Sequence, residues 1–294
     1  MKISNNIVLS NFKKKLSKEK IKKNLNFLLK NKNEILKSCS PSYKYKYSNK
    51  FLKKIKKKSL NLRVIGMGGS ILGLKAISQF LSSKIKKKVN YIDNLNPNLK
   101  NYKDLKKPLN LVISKSGNTL ETIANVNILV KKNHQNIFIT QNSESYLKVL
   151  ANKLKADVID HNNFIGGRYS VLSEVGMLPA ELMGLNSKSF RQFNNLIKNQ
   201  KYLNALISNV GSTINLIKKR KFNSIIINYD EKSQNFFSWY QQLVAESLGK
   251  KGKGLLPVVS NMPRDNHSVM QLYLDGFKNN FYTFFYVHEN NTSK

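Results

Sequence analysis

Short apolar runs alternate with stretches of helical period through the first half of the chain, and this limits the fold more than any other feature. Leu62–Ile65, Val89–Ile92, Leu109–Ile113, Asn136–Ile139 and Ala156–Ile159 are the apolar runs, with Ile71–Leu81 and Leu120–Val130 among the helical segments between them. Strands this short and apolar are buried on both faces, and a parallel pair needs a crossover whose helix covers the sheet. The expectation is an α/β fold with a parallel sheet flanked by helices, binding ligands beyond the carboxyl ends of its strands. Tyr169–Leu182 and Ser187–Ile217 read as a helical bridge. A second alternation follows: a strand at Ser224–Ile227, a helix over Asn235–Ser247, a strand at Leu255–Val259, a helix from about His267 to Asp275 and a strand at Phe281–Val287. Ahead of both, Phe12, Leu16, Ile21, Leu25, Leu28 and Leu29 recur at near-helical spacing and predict one or two amphipathic helices. The expected boundaries are a Lys-rich helical segment over 1–60, a first α/β unit over 61–185 and a second over 186–294.

Charge by itself points elsewhere. A net +35 suggests nucleic acid or an anionic membrane. Yet of 51 basic residues only Arg63, Arg168, Arg191, Arg220 and Arg264 are arginine, while Asn and Ile abound, as an AT-rich coding sequence would produce. Nucleic-acid readers rely on arginine for bidentate and stacking contacts, and no basic-aromatic motif lines up here, so the lysines read as a solvated surface. An arginine retained in such a chain marks a place where a guanidinium is required, and Arg168 is the candidate. No apolar run approaches the roughly 20 residues of a membrane span, and the N-terminus lacks the apolar stretch of a secretory signal. The single cysteine, Cys39, suits a reducing cytoplasm, and four scattered histidines form no metal-ligand cluster. A cytoplasmic protein without membrane, metal or specific nucleic-acid partners is expected.

Two strand ends carry chemistry. Leu109–Ile113 delivers Ser114, Lys115, Ser116, Gly117, Asn118 and Thr119 before the helix that begins at Leu120. Unpaired N–H groups and the positive end of the helix dipole attract an anion there, and the hydroxyls and the amine add donors. Capping is the plainer role for a hydroxyl at such a place. Leu62–Ile65 delivers Gly66, Met67, Gly68, Gly69 and Ser70, where glycines permit close approach and Ser70 places a hydroxyl at a helix start. This is not the dinucleotide fingerprint, whose acidic ribose ligand would have to be Asp93, nor a Walker loop, which needs Gly-Lys-Ser/Thr.

These two units resemble a sugar isomerase (SIS) domain, and three further segments make the resemblance specific to the phosphoglucose isomerase family. Gly166, Gly167, Arg168, Tyr169, Ser170, Val171, Leu172, Ser173, Glu174, Val175 and Gly176 resemble its second signature. Gln241 and Gln242 followed by Glu246, Ser247, Leu248, Gly249 and Lys250 resemble its catalytic-glutamate segment, and Asp265, Asn266, His267 and Ser268 its histidine segment. The resemblance implies two SIS-type subdomains that interconvert glucose 6-phosphate and fructose 6-phosphate through an enediol, without cofactor, as a homodimer with a shared active site. It implies Glu246 as the proton-transferring carboxylate, Arg168 as the guanidinium facing the enediolate and His267 as the ring-opening group. Ser70, Ser114, Lys115, Ser116 and Thr119 would hold the phosphate, and Gly69, Gly167 and Gln242 would contact the sugar. Glu121 and Glu174 read as structural, and His134, His161 and His288 as surface or loop residues.

The Ser116-Gly117-Asn118 sequence is closer to the form found in bifunctional phosphoglucose/phosphomannose isomerases than to the family's usual threonine-rich loop. The chain stops soon after Val287, before a C-terminal helical segment that in the family supplies a lysine; Lys294 matches no such motif. The second subdomain is therefore expected to be incomplete. A non-catalytic sugar-phosphate-binding protein, or a truncated isomerase of little activity, is the alternative.

Overall fold

The computed structural model describes residues 18–31, 33–56, 61–97 and 108–287, so Phe12, Leu16, His288 and Lys294 lie outside the described residues. In chain order the elements are α1 (Glu19–Lys30), α2 (Glu34–Ser38), α3 (Asn49–Lys56), β1 (Asn61–Gly66), α4 (Leu72–Phe80), β2 (Lys88–Ile92), β3 (Leu109–Ile113), α5 (Leu120–Leu129), β4 (Gln135–Gln141), α6 (Tyr146–Lys153) and β5 (Asp157–His161). They continue as α7 (Glu174–Leu182), α8 (Phe193–Ile197), α9 (Gln200–Lys218), β6 (Asn223–Asn228), α10 (Gln234–Leu248), β7 (Leu256–Asn261), α11 (Met270–Asp275) and β8 (Asn280–Phe285). Two compact units result. One comprises Tyr43–Phe190 with Lys232–Leu243; the other comprises the described parts of Met1–Ser42, Arg191–Glu231 and Val244–Lys294.

The first of these units is built on a five-stranded parallel sheet of order β2-β1-β3-β4-β5. Successive side chains of a strand face opposite ways, so the apolar runs feed two cores. Leu62, Val64, Leu109, Leu111, Ile113, Ile137 and Ile139 pack with Leu52 and Ile55 of α3, Leu74 of α4 and Val175, Leu178 and Leu182 of α7. Ile65, Val112 and Phe138 pack on the other face with Val126 and Leu129 of α5 and Leu147 and Ala151 of α6. One row breaks the apolar pattern. Arg63, Asn110 and Asn136 are register neighbours across three strands, all buried. Arg63 Nη1 donates to Asn110 Oδ1 at 3.3 Å and to the Leu129 carbonyl at 3.1 Å, and Asn110 Nδ2 donates to Asn136 Oδ1 at 2.7 Å. A buried polar row persists because its members hydrogen-bond one another.

Glu174, also wholly buried, opens α7 and accepts the Tyr43 hydroxyl at 3.0 Å and the Lys46 N–H at 2.9 Å. These bonds draw the segment from Tyr43 into this unit, ahead of β1. Glu174 is a structural carboxylate.

In the other unit, β6 lies between β7 and β8 in a parallel sheet whose core is Ile225, Ile227 and Met262, packed with Val258, Met270, Tyr273 and Tyr282. Here too Arg191 Nη1 donates to the carbonyls of Ser38 and Ser40. The expected helices are cut by their caps. Tyr169–Leu182 divides at Ser173, whose Oγ accepts from Val175 N; a 3-10 turn over Gly167–Leu172 precedes it. Ser187–Ile217 divides into a 3-10 turn, α8 and α9, the last capped by Asn199, which accepts from Tyr202 N at 3.0 Å. The segment from His267 to Asp275 is a 3-10 turn over Arg264–His267 followed by α11, because the Asp265 carboxylate turns back to the Asn261 N–H at 2.8 Å. Among the described residues no helix is long and apolar enough to cross a membrane.

Candidate active site

β1 and β3 are neighbours, and their ends are in register, Gly66 beside Ile113. The chain leaves β1 toward β2 on one side and β3 toward β4 on the other, so the strand order reverses between the two loops, the place where open α/β sheets take their ligands. Both candidate loops therefore emerge side by side.

The 114–119 loop is braced from within. Ser114 is buried; its Oγ lies 2.9 Å from Thr119 Oγ1 and accepts from Gly117 N at 3.2 Å. Gly117 adopts a φ of +68°, and a Cβ there would stand 2.2 Å from Ser145 Oγ, so the loop requires glycine. Gln141 N donates to the Lys115 carbonyl at 3.0 Å, Leu147 N to the Gly117 carbonyl at 3.1 Å and Tyr146 N to Asn118 Oδ1 at 2.9 Å, which bolts the loop to the β4–α6 connection. Lys115 Nζ donates to the Asn163 carbonyl at 2.7 Å, in the segment after β5. Thr119 is the N-cap residue of α5, yet its side chain makes no capping hydrogen bond. By contrast, Ser145 caps α6. Thr119 thus leaves the N-terminal N–H groups of the ten-residue α5 uncapped, where an anion gains from both donors and dipole. Ser116 is exposed beside it.

The loop after β1 is a 3-10 turn over Gly68–Ser70, with Ser70 half-buried. A Cβ on Gly69 would stand 2.3 Å from the Gly167 carbonyl carbon and 2.5 Å from Arg168 N. Backbone therefore packs on backbone, and the segment after β5 reaches the loop after β1 although β3 and β4 lie between those strands in the sheet. Ser170 Oγ, 2.6 Å from the Gly167 carbonyl oxygen and 3.3 Å from that of Gly69, ties the two turns together. Arg168 stands half-buried, its Cζ 4.6 Å from the centroid of the Tyr169 ring. Trp239 Nε1 donates to the Arg168 carbonyl at 3.1 Å, and Gln242 Nε2 lies 3.1 Å from where a Cβ of Gly68 would stand.

One unit thus gathers Gly69, Ser70, Ser114, Lys115, Ser116, Thr119, Gly167, Arg168 and Gln242. Glu246 and His267, both exposed, belong to the other unit. Glu246 is four residues after Gln242 on the continuous helix α10, hence on the same helical face. His267 ends the 3-10 turn that Asp265 stabilises, and the hydrogen bond from Arg264 holds the Asp265 carboxyl below its usual range. Asp93 pairs with Lys75 at 2.7 Å.

One histidine, His161, differs from its reading as a surface or loop residue, whereas His134 lies half-buried in the bend before β4. His161 is buried at the end of β5, with Nδ1 donating to the Asn162 carbonyl at 2.9 Å; burial, reinforced by the charge of Lys115, pushes its pKa down. His134 Nδ1 accepts from Asn110 Nδ2 at 3.2 Å and so joins the buried polar row. Neither Trp239 nor Asn163 stands out in the sequence motifs. A carbonyl has no side-chain signature, but a lone tryptophan shortly before the glutamate segment is a usable signal.

The fold places this chain in a class of α/β proteins whose parallel sheets are flanked by helices. A hypothetical protein of Thermus thermophilus superposes with a TM-score of 0.70 at 22% identity, covering 91% of this chain and 69% of that one. A glucose-6-phosphate isomerase of Chlamydia trachomatis gives 0.64 at 22% identity over 80% and 51%, and a tagatose-6-phosphate ketose/aldose isomerase of Escherichia coli 0.55 at 18% over 76% and 62%. Sequence narrows the class: the profile of phosphoglucose isomerase matches residues 47–255. A glucose-6-phosphate isomerase of Methanocaldococcus jannaschii is 36% identical over 246 residues, 76% of this chain and 59% of its own length. The chain belongs to the phosphoglucose isomerase family, and it spans about three fifths of the length of such relatives.

Gly69→Ala forces the two turns apart and is expected to cost about 1–3 kcal/mol in urea unfolding. Because folding lowers the pKa of His161, the unfolded chain binds more protons at mildly acid pH. The contribution of His161 to stability is present above the ordinary imidazole value of about 6.5 and is lost as pH falls from there through the lowered value in the fold. His161→Asn should flatten the fall in unfolding free energy below about pH 7, read from urea midpoints across the range.

Proposed function

We propose that the chain is an aldose-ketose isomerase that interconverts glucose 6-phosphate and fructose 6-phosphate. The observation that supports this best is the backbone contact of Gly69 with Gly167, which sets the Arg168 turn against the loop beside a preformed anion seat, in a chain of the phosphoglucose isomerase family. Lys115, Ser116, Thr119 and Ser70 donate to the phosphate, while Ser114, buried, shapes the loop that carries them. Gly69, Gly167 and Gln242 face the sugar.

The chemistry follows from the residue types. His267 moves the proton between ring oxygen and hydroxyl as the hexose opens. Glu246 takes the proton from C2 of the open aldose; the C2 electron pair forms the C1–C2 double bond while O1 gathers the charge of the former carbonyl. The fixed guanidinium of Arg168 stabilises that enediolate. The hydroxyl proton of O2 passes to O1, and Glu246 returns its proton to C1, leaving the ketose. A proton carried by one carboxylate requires no metal or nucleotide. Family membership supports a cytoplasmic homodimer in which the partner contributes to the site, and the Gly117-Asn118 loop makes mannose 6-phosphate the second substrate to assay.

Glu246→Gln should abolish turnover in a coupled isomerase assay and leave hexose-phosphate binding nearly intact; near-normal turnover removes Glu246 from the mechanism. Arg168→Lys should lose about 100-fold or more in kcat, since a point charge does not replace a planar fork. Binding without turnover in the unaltered chain assigns it a sugar-phosphate-binding role instead.

A further inference from the structure

Arg168 sits on a short turn, and a side chain as long as arginine amplifies any rotation of its own peptide. What holds that peptide is therefore part of the site. On one side Gly69 lies against Gly167 and Arg168 N, and the Ser170 hydroxyl lies near the carbonyls of both glycines. On the other, the carbonyl of Arg168 receives the indole N–H of Trp239 at 3.1 Å. The indole is itself placed: its ring meets Phe236 edge-on at 6.1 Å, and Gly73 of α4 leaves the space beside it, since a Cβ there would stand 2.7 Å from Val171 Cγ2 and 3.7 Å from Trp239 Nε1. Trp239 and Gln242 are three residues apart on α10, so one helical face addresses both the Arg168 turn and the glycine turn after β1.

We propose that Trp239 is a positioning residue for the isomerase reaction, fixing through the Arg168 carbonyl where the guanidinium points, and that its indole reports occupation of the sugar-phosphate site. This rests on the reading of Arg168 as the group facing the enediolate. A displacement of about 1 Å at a reacting centre can cost about 100-fold in rate, so one hydrogen bond to the peptide that carries the guanidinium has leverage. It acts on the charge that develops during reaction and hardly on the phosphate, whose donors stand on a loop braced separately by Ser114, Gln141 and Leu147.

Trp239→Phe in the full chain keeps an aromatic ring and removes the N–H. The expected result is a fall of about tenfold in kcat with KM for fructose 6-phosphate changed less than about twofold. Added to Arg168→Lys, it should bring little further loss, because both act through one guanidinium. An unchanged kcat, or a loss that adds in full on the Arg168→Lys background, overturns the proposal. Trp239 is the chain's only tryptophan, so the unaltered protein offers a second test that needs no indole variant. Titration with fructose 6-phosphate should shift the indole emission saturably, and Arg168→Lys should remove the shift while calorimetry still detects bound sugar phosphate. Emission that is unmoved in the unaltered chain as calorimetry records binding, or that moves equally in both proteins, overturns it as well. Should the unaltered chain bind without turnover, the isomerase reading fails by itself and the emission comparison still decides what Trp239 does.

Discussion

Backbone contact between Gly69 and the Gly167–Arg168 peptide is the constraint on which the rest of the site depends. The strands that lead into these turns are not neighbours: β5 is at the edge of the sheet, and β3 and β4 lie between it and β1. The segment after β5 must come back past two strand ends to meet the loop after β1, and it can close only where no side chain stands between the two backbones. Ser170 then ties the two turns, and the Trp239 indole holds the far side of the Arg168 peptide. Few polar atoms take part, yet they decide where the chain's candidate guanidinium stands.

The candidate anion seat at the 114–119 loop follows a different logic. Its hydroxyls divide between structure and surface: Ser114 turns inward to Thr119 and Gly117 N, while Ser116 stays exposed. Hydrogen bonds from Gln141, Tyr146 and Leu147 brace the loop, so little ordering is left to be done when an anion arrives. Lysine is abundant throughout the chain, but an ammonium in open solvent contributes little selectivity. Lys115 differs because the Asn163 carbonyl holds its ammonium, and it stands on the loop that leads into a helix start without a side-chain cap. Geometry, more than the net charge, sets this seat apart.

Much of the fold is legible because parallel strands buried on both faces leave contiguous apolar runs. All five runs of the first half are strands of one sheet, and the second alternation forms a second parallel sheet. The departures have local causes. Ser173 and Asn199 restart helices where periodicity alone runs on, and Asp265 turns the chain ahead of α11. His161 reads as a loop residue although it closes β5 and is buried, and His134, in the bend before β4, takes a partner 24 residues away in Asn110. In the site, the motif residues of loops and glycines are readable; the partners that hold them are not, since Asn163 acts through a carbonyl and Trp239 through a contact 71 residues away from Arg168.

The sequence by itself determined the α/β class, the succession of strands along the chain, the hydroxyl-rich loop after β3 and the glycine-arginine turn after β5, because periodicity and local composition record what each segment must bury or expose. Only the tertiary structure decided the strand order that puts β1 beside β3, the inward turn of Ser114 and the packing of Gly69 on Gly167 with Trp239 against the Arg168 carbonyl. These depend on which distant segments share one core, and short-range pattern carries no record of the partner a buried backbone group will meet.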